Sequence, residues 1–517
     1  MMFAGSGASR RSGTSGGADA AARRLLVVAD SDSYVKWGAA LASTLPQRWQ
    51  VQLVVLASPV QPSATQLAHA LAGTAFTPAR TRVVHLDDLD GLLDVFDPHA
   101  VLLALRGPFV RVVAPILERR ADRPVLVSGF PGLTIPAVPK AVIYREQTDL
   151  VVLHSRREVR EFRANAAELG LGTTFALATL PFLAGAGEAS ASHGASPLVA
   201  SSLGASTTDA AAVGSATAAT GRAPSARTDV VFATQAKVPA AREDRVHLLG
   251  ALAELARRRP DLRVVVKVRA RRGEAQTHEE TFDYADLMPE VDPPANLVIE
   301  DGPMADRLAR AAALVTVSST AVLEAVALDL PSLVIDDYGV SPAMINVVFE
   351  GSGLIGSTLD LVEGRFRTAD ASWRTDNYFH AVEAADWVRR LDAFVEAREV
   401  VPLRPLARRR DLSGGGLRSA FERRRMLGSH DRSLLGALAW GIGVPARWLV
   451  RRARRARARL AGGRAPVATQ RGPGWTTDRT SGTASGRPAP DRPAPDGAVS
   501  GLATSADGRV PLDMADV

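Results

Sequence analysis

Hydroxyl-bearing, cationic and acidic residues gather where runs of β-branched residues stop. Three such places have the chemistry to hold or transform a phosphorylated ligand. The first lies in 314–335, LVTVSSTAVLEAVALDLPSLVI, where Ser318, Ser319 and Thr320 stand between an apolar run and a helical pattern that carries Glu324. Hydroxyls at such a junction cap a helix and leave backbone N–H groups facing outward. The helix dipole adds positive potential, and the corner suits a phosphate or diphosphate. An ordinary Ser/Thr cap would use the same residues. The second place is VVVKVR at 264–269, which ends in Lys267 and Arg269 and leads to a loop with Thr277, His278 and Glu279. Solvated strand-end charges are the plain alternative there. The third is ADSDSYVK at 29–36, with Asp30, Ser31, Asp32, Tyr34 and Lys36 crowded after the first apolar run. Asp32, or Asp30, can act as a general base if partial burial or a neighbouring acid raises its pKa. The same residues would otherwise end a strand and cap the next helix.

A fourth cluster, SGFPGLTIP at 128–136, turns sharply at Gly129 and Gly132 and is followed by Lys140, Tyr144 and Arg145. It either lines the same cleft or is a structured connection. Lysine usage points the same way. Of 62 basic residues only Lys36, Lys140, Lys237 and Lys267 are lysines, and all four fall in or beside strand-end clusters. A compact ammonium suits phosphate or hydroxyl contact differently from a guanidinium.

The elements that must position these residues alternate strand and helix, the pattern of parallel sheets with helices on both faces. Strands are expected at 25–29, 52–56, 83–86, 100–105, 125–128 and 150–153, with helices at 36–45, 63–71, 89–96, 111–118 and 156–169. These form a first doubly wound domain over 23–183. The Ala/Gly/Ser/Thr-rich stretch 184–228 reads as a flexible linker or insertion. A second α/β domain over 229–375 has expected strands at 230–234, 263–268, 297–300, 314–318 and 332–335 and helices at 243–258, 304–312 and 320–328. One long amphipathic helix is expected over 376–400 (its pattern runs from 378 to 399), then a basic segment at 401–464. Residues 1–22 read as a disordered leader without a signal-peptide core, and 465–517 as a disordered tail.

With no cysteine, disulfides and thiolate metal sites are excluded, which fits the cytoplasm. The net charge of +7 is uneven. Residues 404–464 hold 17 arginines against Asp411, Glu422 and Asp431, while the rest of the chain, with 45 basic and 52 acidic residues, is acidic. Within that basic segment, 433–450 is apolar with Trp440 and Trp448, and RRARRARAR follows at 451–459. An apolar stretch with tryptophans beside clustered arginine is what an anchor to an anionic leaflet needs. No nucleic-acid module accompanies it, so a membrane surface at 433–459 is favoured over nucleic acid as partner. A nonspecific basic tail is the plain alternative.

The strand, Ser/Thr turn, helix with Glu324-Ala325, break and Pro331 resemble the donor-binding element of nucleotide-sugar glycosyltransferases of the GT-B type. Those enzymes carry glycine where this chain has Asp329. The stretch containing His154 and Ser155 resembles the strand-to-helix turn near the end of their first domain. Taken together, 29–37, 128–132, 152–162, 267–269 and 276–278 resemble a bacterial family of glycosyltransferases over residues 24–183 and 229–365. The resemblance implies two Rossmann-like domains facing a cleft. The second would hold the nucleotide-sugar through Ser318, Ser319, Thr320, Glu324, Lys267, Arg269, His278 and Lys237. The first would supply the base from Asp32 or Asp30 and line the cleft with Ser31, Tyr34, Lys36, Gly129, Gly132, Lys140, His154 and Ser155. It further implies glycosyl transfer as the broad reaction class; the expectation built on it is sugar transfer, without metal or cofactor, to a hydroxyl of a cell-envelope or membrane-linked glycan, in the cytoplasm or at the inner face of the cell membrane. The same fold serves nucleotide-sugar 2-epimerases and glycerophosphate-type transferases, and a non-catalytic glycan- or nucleotide-binding scaffold at the membrane is the alternative of another class.

Overall fold

The computed structural model describes residues 22–181, 183, 227–268, 281–410 and 415–461. The leader, the linker and the tail read from the sequence lie outside the described residues, apart from residues 22, 227 and 228. Arg269 and His278 lie outside them too.

Seven parallel strands form the first sheet: β1 (Arg23–Ala29), β2 (Trp49–Leu56), β3 (Arg82–Val84), β4 (Ala100–Ala104), β5 (Val125–Gly129), β6 (Leu150–Leu153) and β7 (Thr174–Leu177), in the order β3-β2-β1-β4-β5-β6-β7. Helices α1 (Asp32–Ser43), α2 (Ala64–Leu71), α3 (Leu89–Phe96), α4 (Gly107–Glu118), α5 (Pro139–Ile143) and α6 (Arg156–Glu168) connect them. Side chains of a strand alternate between faces, and here both faces are covered. Leu25, Val27 and Ala29 of β1 pack under α1 and α2, while Leu26 and Val28 pack under α3 and α4. That two-sided burial is why the strands read as unbroken apolar runs.

The second sheet has six parallel strands, β8 (Asp229–Ala233), β9 (Arg263–Lys267), β10 (Leu297–Glu300), β11 (Ala311–Thr316), β12 (Ser332–Ile335) and β13 (Ile355–Gly356), ordered β10-β9-β8-β11-β12-β13. Its helices are α7 (Arg242–Arg258), α8 (Tyr284–Leu287), α9 (Met304–Leu308), α10 (Ala321–Ala327), α11 (Thr358–Val362) and α12 (Ala371–Asp376). Val230 and Phe232 face α7, and Val231 and Ala233 face α10. The chain therefore holds two Rossmann-like domains, as the alternating pattern predicts.

The single helix expected at 376–400 is not what forms. Tyr378 stays in the core of the second domain, residues 379–386 cross back, and the helix proper is α13 (Trp387–Val400). Its Trp387, Leu391 and Val395 complete the core of the first domain. The 3.6-residue apolar period in 378–399 thus joins residues that serve two different cores. Continuing the crossing, residues 401–410 lie along the first domain. The Leu406 amide donates to Glu118, and the Leu406 carbonyl accepts from Gln147. Next, α14 (Gly415–Leu427) buries Leu427 beneath α3 and α4. The basic segment accordingly begins as part of the first domain. Its last helix, α15 (Leu434–Ala461), continues through Pro445.

Candidate functional site

In a parallel sheet, ligands bind beyond the carboxyl ends of the strands, at the crevice where strand order reverses. That crevice lies between β1 and β4 in the first sheet and between β8 and β11 in the second.

In the first domain the crevice is closed by an ion pair. Asp30, fully buried after β1, accepts from the Arg106 Nε at 2.8 Å and from the Ser31 hydroxyl at 3.1 Å. Burial pushes its carboxyl pKa up, against the pull of the Arg106 guanidinium. Asp30 therefore has no surface open to an acceptor, which corrects its reading as a base. Ser31 is buried as the residue preceding α1, and its hydroxyl points back to Asp30 rather than to a ligand. Asp32, the first residue of α1, is half-buried and has neither hydrogen bond nor ion pair among the described residues.

Several residues expected to line the cleft belong to one sealed network instead. The Tyr34 hydroxyl accepts from Arg145 at 3.2 Å, and Arg145 also donates to the Ser128 hydroxyl at 3.2 Å and the Gly129 carbonyl at 3.0 Å. Its guanidinium lies 3.7 Å from the centre of the Phe130 ring. Gly129 is glycine because a Cβ there would come within 2.5 Å of the Trp37 ring and 2.7 Å of the Val152 carbonyl oxygen. The Trp37 indole N–H donates to His154 Nε2 at 2.7 Å, so the imidazole proton sits on Nδ1 and reaches the Ala178 carbonyl at 3.1 Å. Burial lowers the His154 pKa to about 4, so the ring is neutral. Ser155 caps α6 by accepting from the Glu158 amide at 3.0 Å, and the Glu158 carboxylate returns to the Ser155 amide, a capping box. Tyr34, Gly129, His154 and Ser155 thus hold the first domain together and do not face a ligand.

Glu158 is the centre of this network and was not among the expected site residues. Its carboxylate accepts from the His154 amide at 2.8 Å, the Thr134 hydroxyl at 2.7 Å and the Tyr378 hydroxyl at 2.7 Å. Tyr378 comes from the second domain's core, so Glu158 pins that domain to the first. The Ser-x-x-Glu spacing makes the capping box legible, but nothing local announces the bond to Tyr378.

The second domain keeps its strand-end residues more open. Across its crevice the Gln235 amide donates to the Ser318 carbonyl at 2.9 Å, tying the loops after β8 and β11. Ser318 is buried, with its hydroxyl lacking a partner among the described residues; Ser319 is half-buried and Thr320 exposed. The expectation of a row of outward amides needs correction. Helix α10 has only seven residues, and the amides of Ser319, Ala321, Val322 and Leu323 are taken by Thr316, Ser319 and Thr320. Asp329 adopts the left-handed conformation, with φ of 53°, that the usual glycine would supply.

The two domains meet over these loops. A Cβ on Gly132 would lie 3.8 Å from the Thr320 methyl, so the 128–136 turn and the start of α10 are opposed. Glu324, in the first turn of α10, is half-buried. Burial raises its pKa, while Lys36 of α1 and Lys267 at the end of β9 pull it down. One carboxylate thus lies within electrostatic reach of a lysine from each domain. Lys36 is exposed and Lys267 largely buried. Lys237 is exposed in the loop after β8, on the same side of that sheet. Lys140, on α5, places its ammonium 5.5 Å from the centre of the ring of Tyr144, the residue that follows the helix. Lys36, Gly132, Thr320, Glu324 and Lys267 mark the candidate site, where the two strand-end faces oppose each other, and Asp32 stands one helical turn before Lys36 on α1.

The chain belongs to the family described as "Putative glycosyltransferase (DUF6716)", whose model matches residues 25–394. No curated protein matches it. Among solved structures, the UDP-GlcNAc 2-epimerase of Methanocaldococcus jannaschii is similar at 10% identity and a TM-score of 0.42, over 72% of this chain and 99% of that one. The UDP-GlcNAc 2-epimerase of Neisseria meningitidis bound to UDP-GlcNAc is 10% identical over 72% and 99%, with a TM-score of 0.39. A spinosyn rhamnosyltransferase is 15% identical over 74% and 98%, with a TM-score of 0.33.

Proposed function

We propose, on the premise of that family membership, that the chain transfers a sugar from a nucleotide-sugar to a hydroxyl of a cell-envelope or membrane-linked glycan, without a metal ion. The observation that carries the reading is the opposition of Gly132 and Thr320 across the two strand-end faces, with Glu324 beside them within electrostatic reach of Lys36 and Lys267. Lys267 and Lys36 would hold the diphosphate, joined by Lys237 from the loop after β8, and Thr320 would contact it from the start of α10. Glu324 would keep the two ammonium groups in place and accept a hydroxyl of the donor.

In this scheme the acceptor oxygen attacks the anomeric carbon as the bond from that carbon to the diphosphate oxygen breaks. The electron pair leaves on the diphosphate, where the lysines stabilise it. The acceptor proton passes to the Asp32 carboxylate, the acid at the cleft that no other described group engages. The acceptor would approach along the first domain, past Gly132.

A panel of UDP-, GDP-, CMP- and dTDP-sugars, assayed with and without envelope glycan, tests the proposal. Acceptor-dependent release of nucleotide from one donor is expected. Isomerised donor formed without acceptor would make the protein an epimerase, and nucleotide binding without any turnover would make it a scaffold. Either result overturns the proposal.

A further inference from the structure

We infer that α15 docks the protein on an anionic lipid surface, an inference independent of the transfer reading. Residues 434–450 present an apolar face that nothing in the described chain covers. Leu434, Leu435, Leu438, Ile442 and Leu449 are each more than half exposed, from 52% to 89%. At 100° per residue these five fall within about 100° of one another around the helix. Trp448, also exposed, lies beside that arc.

The opposite face is committed. A Cβ on Gly443 would come within 2.5 Å of the Phe421 ring, and the Trp440 ring stacks on Phe421 with centroids 5.2 Å apart and planes 20° from parallel. A Cβ on Gly436 would collide with the Asp431 carboxylate, and Ala439 is buried. Asp431 in turn accepts from Arg423 Nε at 2.9 Å, and Arg423 also pairs with Asp87 of the first domain. Leu427 sits in that domain's core. The glycines therefore let α15 lie close on α14, and α14 is bolted to the body. The leucine face is displayed in a fixed orientation.

Charge selects the occupant. All 28 residues of α15 include seven arginines and no acid, six of the arginines within 451–459. A second copy of this helix would bring like charge against like. Nucleic acid would satisfy the arginines but leave the leucines facing polar phosphates. A leaflet of anionic lipid matches both, taking the exposed aliphatic side chains among its acyl chains while its negative charge attracts the arginine-rich sequence that follows. No helix of the described residues is long and apolar enough to cross a membrane, so the contact is with the surface.

The test is flotation of the full chain with vesicles of phosphatidylcholine alone or with about one-third phosphatidylglycerol. Wild type is expected to float at least tenfold better with the anionic vesicles. The L438E/I442E variant, altered only at exposed positions, is expected to lose at least tenfold while its circular dichroism is unchanged. R451Q/R452Q/R454Q/R455Q should lose the preference for anionic vesicles. Equal recovery of wild type and L438E/I442E on vesicles overturns the inference. So does a dimer by size-exclusion chromatography that L438E/I442E dissociates while flotation stays absent. Retention on DNA without any flotation overturns it equally.

Discussion

The two domains share a topology and treat the residues beyond their strand ends in opposite ways. In the first, Asp30, Tyr34, Gly129 and His154 are sealed by Arg106, Arg145, Trp37 and Glu158 into a network that reaches Tyr378. In the second, Thr320 is exposed, Glu324 is half-buried, and Lys267 lies within electrostatic reach of Glu324 and thereby of Lys36. Polar residues at strand ends are therefore not equivalent. One set holds the scaffold rigid, and the other is where the proposed transfer would take place. Asp32 and Lys36 stand apart, since they belong to the first domain yet are half-buried and exposed, respectively. Substitutions on the two sides should accordingly separate, the sealed set lowering stability and the open set lowering turnover.

Asp32→Asn should give the largest effect, a fall in kcat of about 10²- to 10⁴-fold with unfolding by urea unchanged. If its activity survives, the open set lacks its base. Glu158→Ala should cost about 3 kcal/mol or more in urea unfolding, because it strands buried donors at His154, Ser155, Thr134 and Tyr378. A silent Glu158→Ala would erase the contrast between the sets. Lys267→Ala should raise KM for the donor about tenfold, worth about 1.4 kcal/mol, with a much smaller change in stability.

The finest test is pH. Folded His154 titrates at about 4, below the ordinary 6.5 of an imidazole. Between those values the unfolded chain binds a proton that the folded chain refuses. This group's contribution is therefore full above pH 6.5 and lost, at about 1.4 kcal/mol per pH unit, as pH falls toward 4. Urea unfolding of wild type against His154→Gln across pH 4.5–7 should show the wild type losing more stability on acidification. Parallel pH profiles would mean that the imidazole is not held neutral.

How far the sequence could be read follows the same physics. Central strands announce themselves because both faces are buried. The expected 332–335 coincides with β12, and 25–29 falls within β1. Four-residue β7 and two-residue β13, at the sheet edges, carry too little pattern to be seen. β11 begins and ends earlier than 314–318, which leaves Ser318 in the turn rather than the strand. Lys36, Glu324 and Lys267 were legible as separate strand-end residues, but not their convergence. Trp37 and His154 are 117 residues apart, and Glu158 and Tyr378 are 220 apart; no local period encodes such bonds. Sequence therefore marked chemically able residues without revealing which had already been used to build the scaffold.

The most direct measurement is calorimetric titration of wild type, Lys36→Ala, Lys267→Ala and Lys140→Ala with UDP, GDP, CDP and dTDP. A diphosphate held between the two domains predicts that one nucleotide binds. Lys36→Ala and Lys267→Ala should each weaken it about tenfold, and Lys140→Ala should leave it unchanged. Failure of all four nucleotides to bind wild type, or equal affinity across the three variants, would contradict the account.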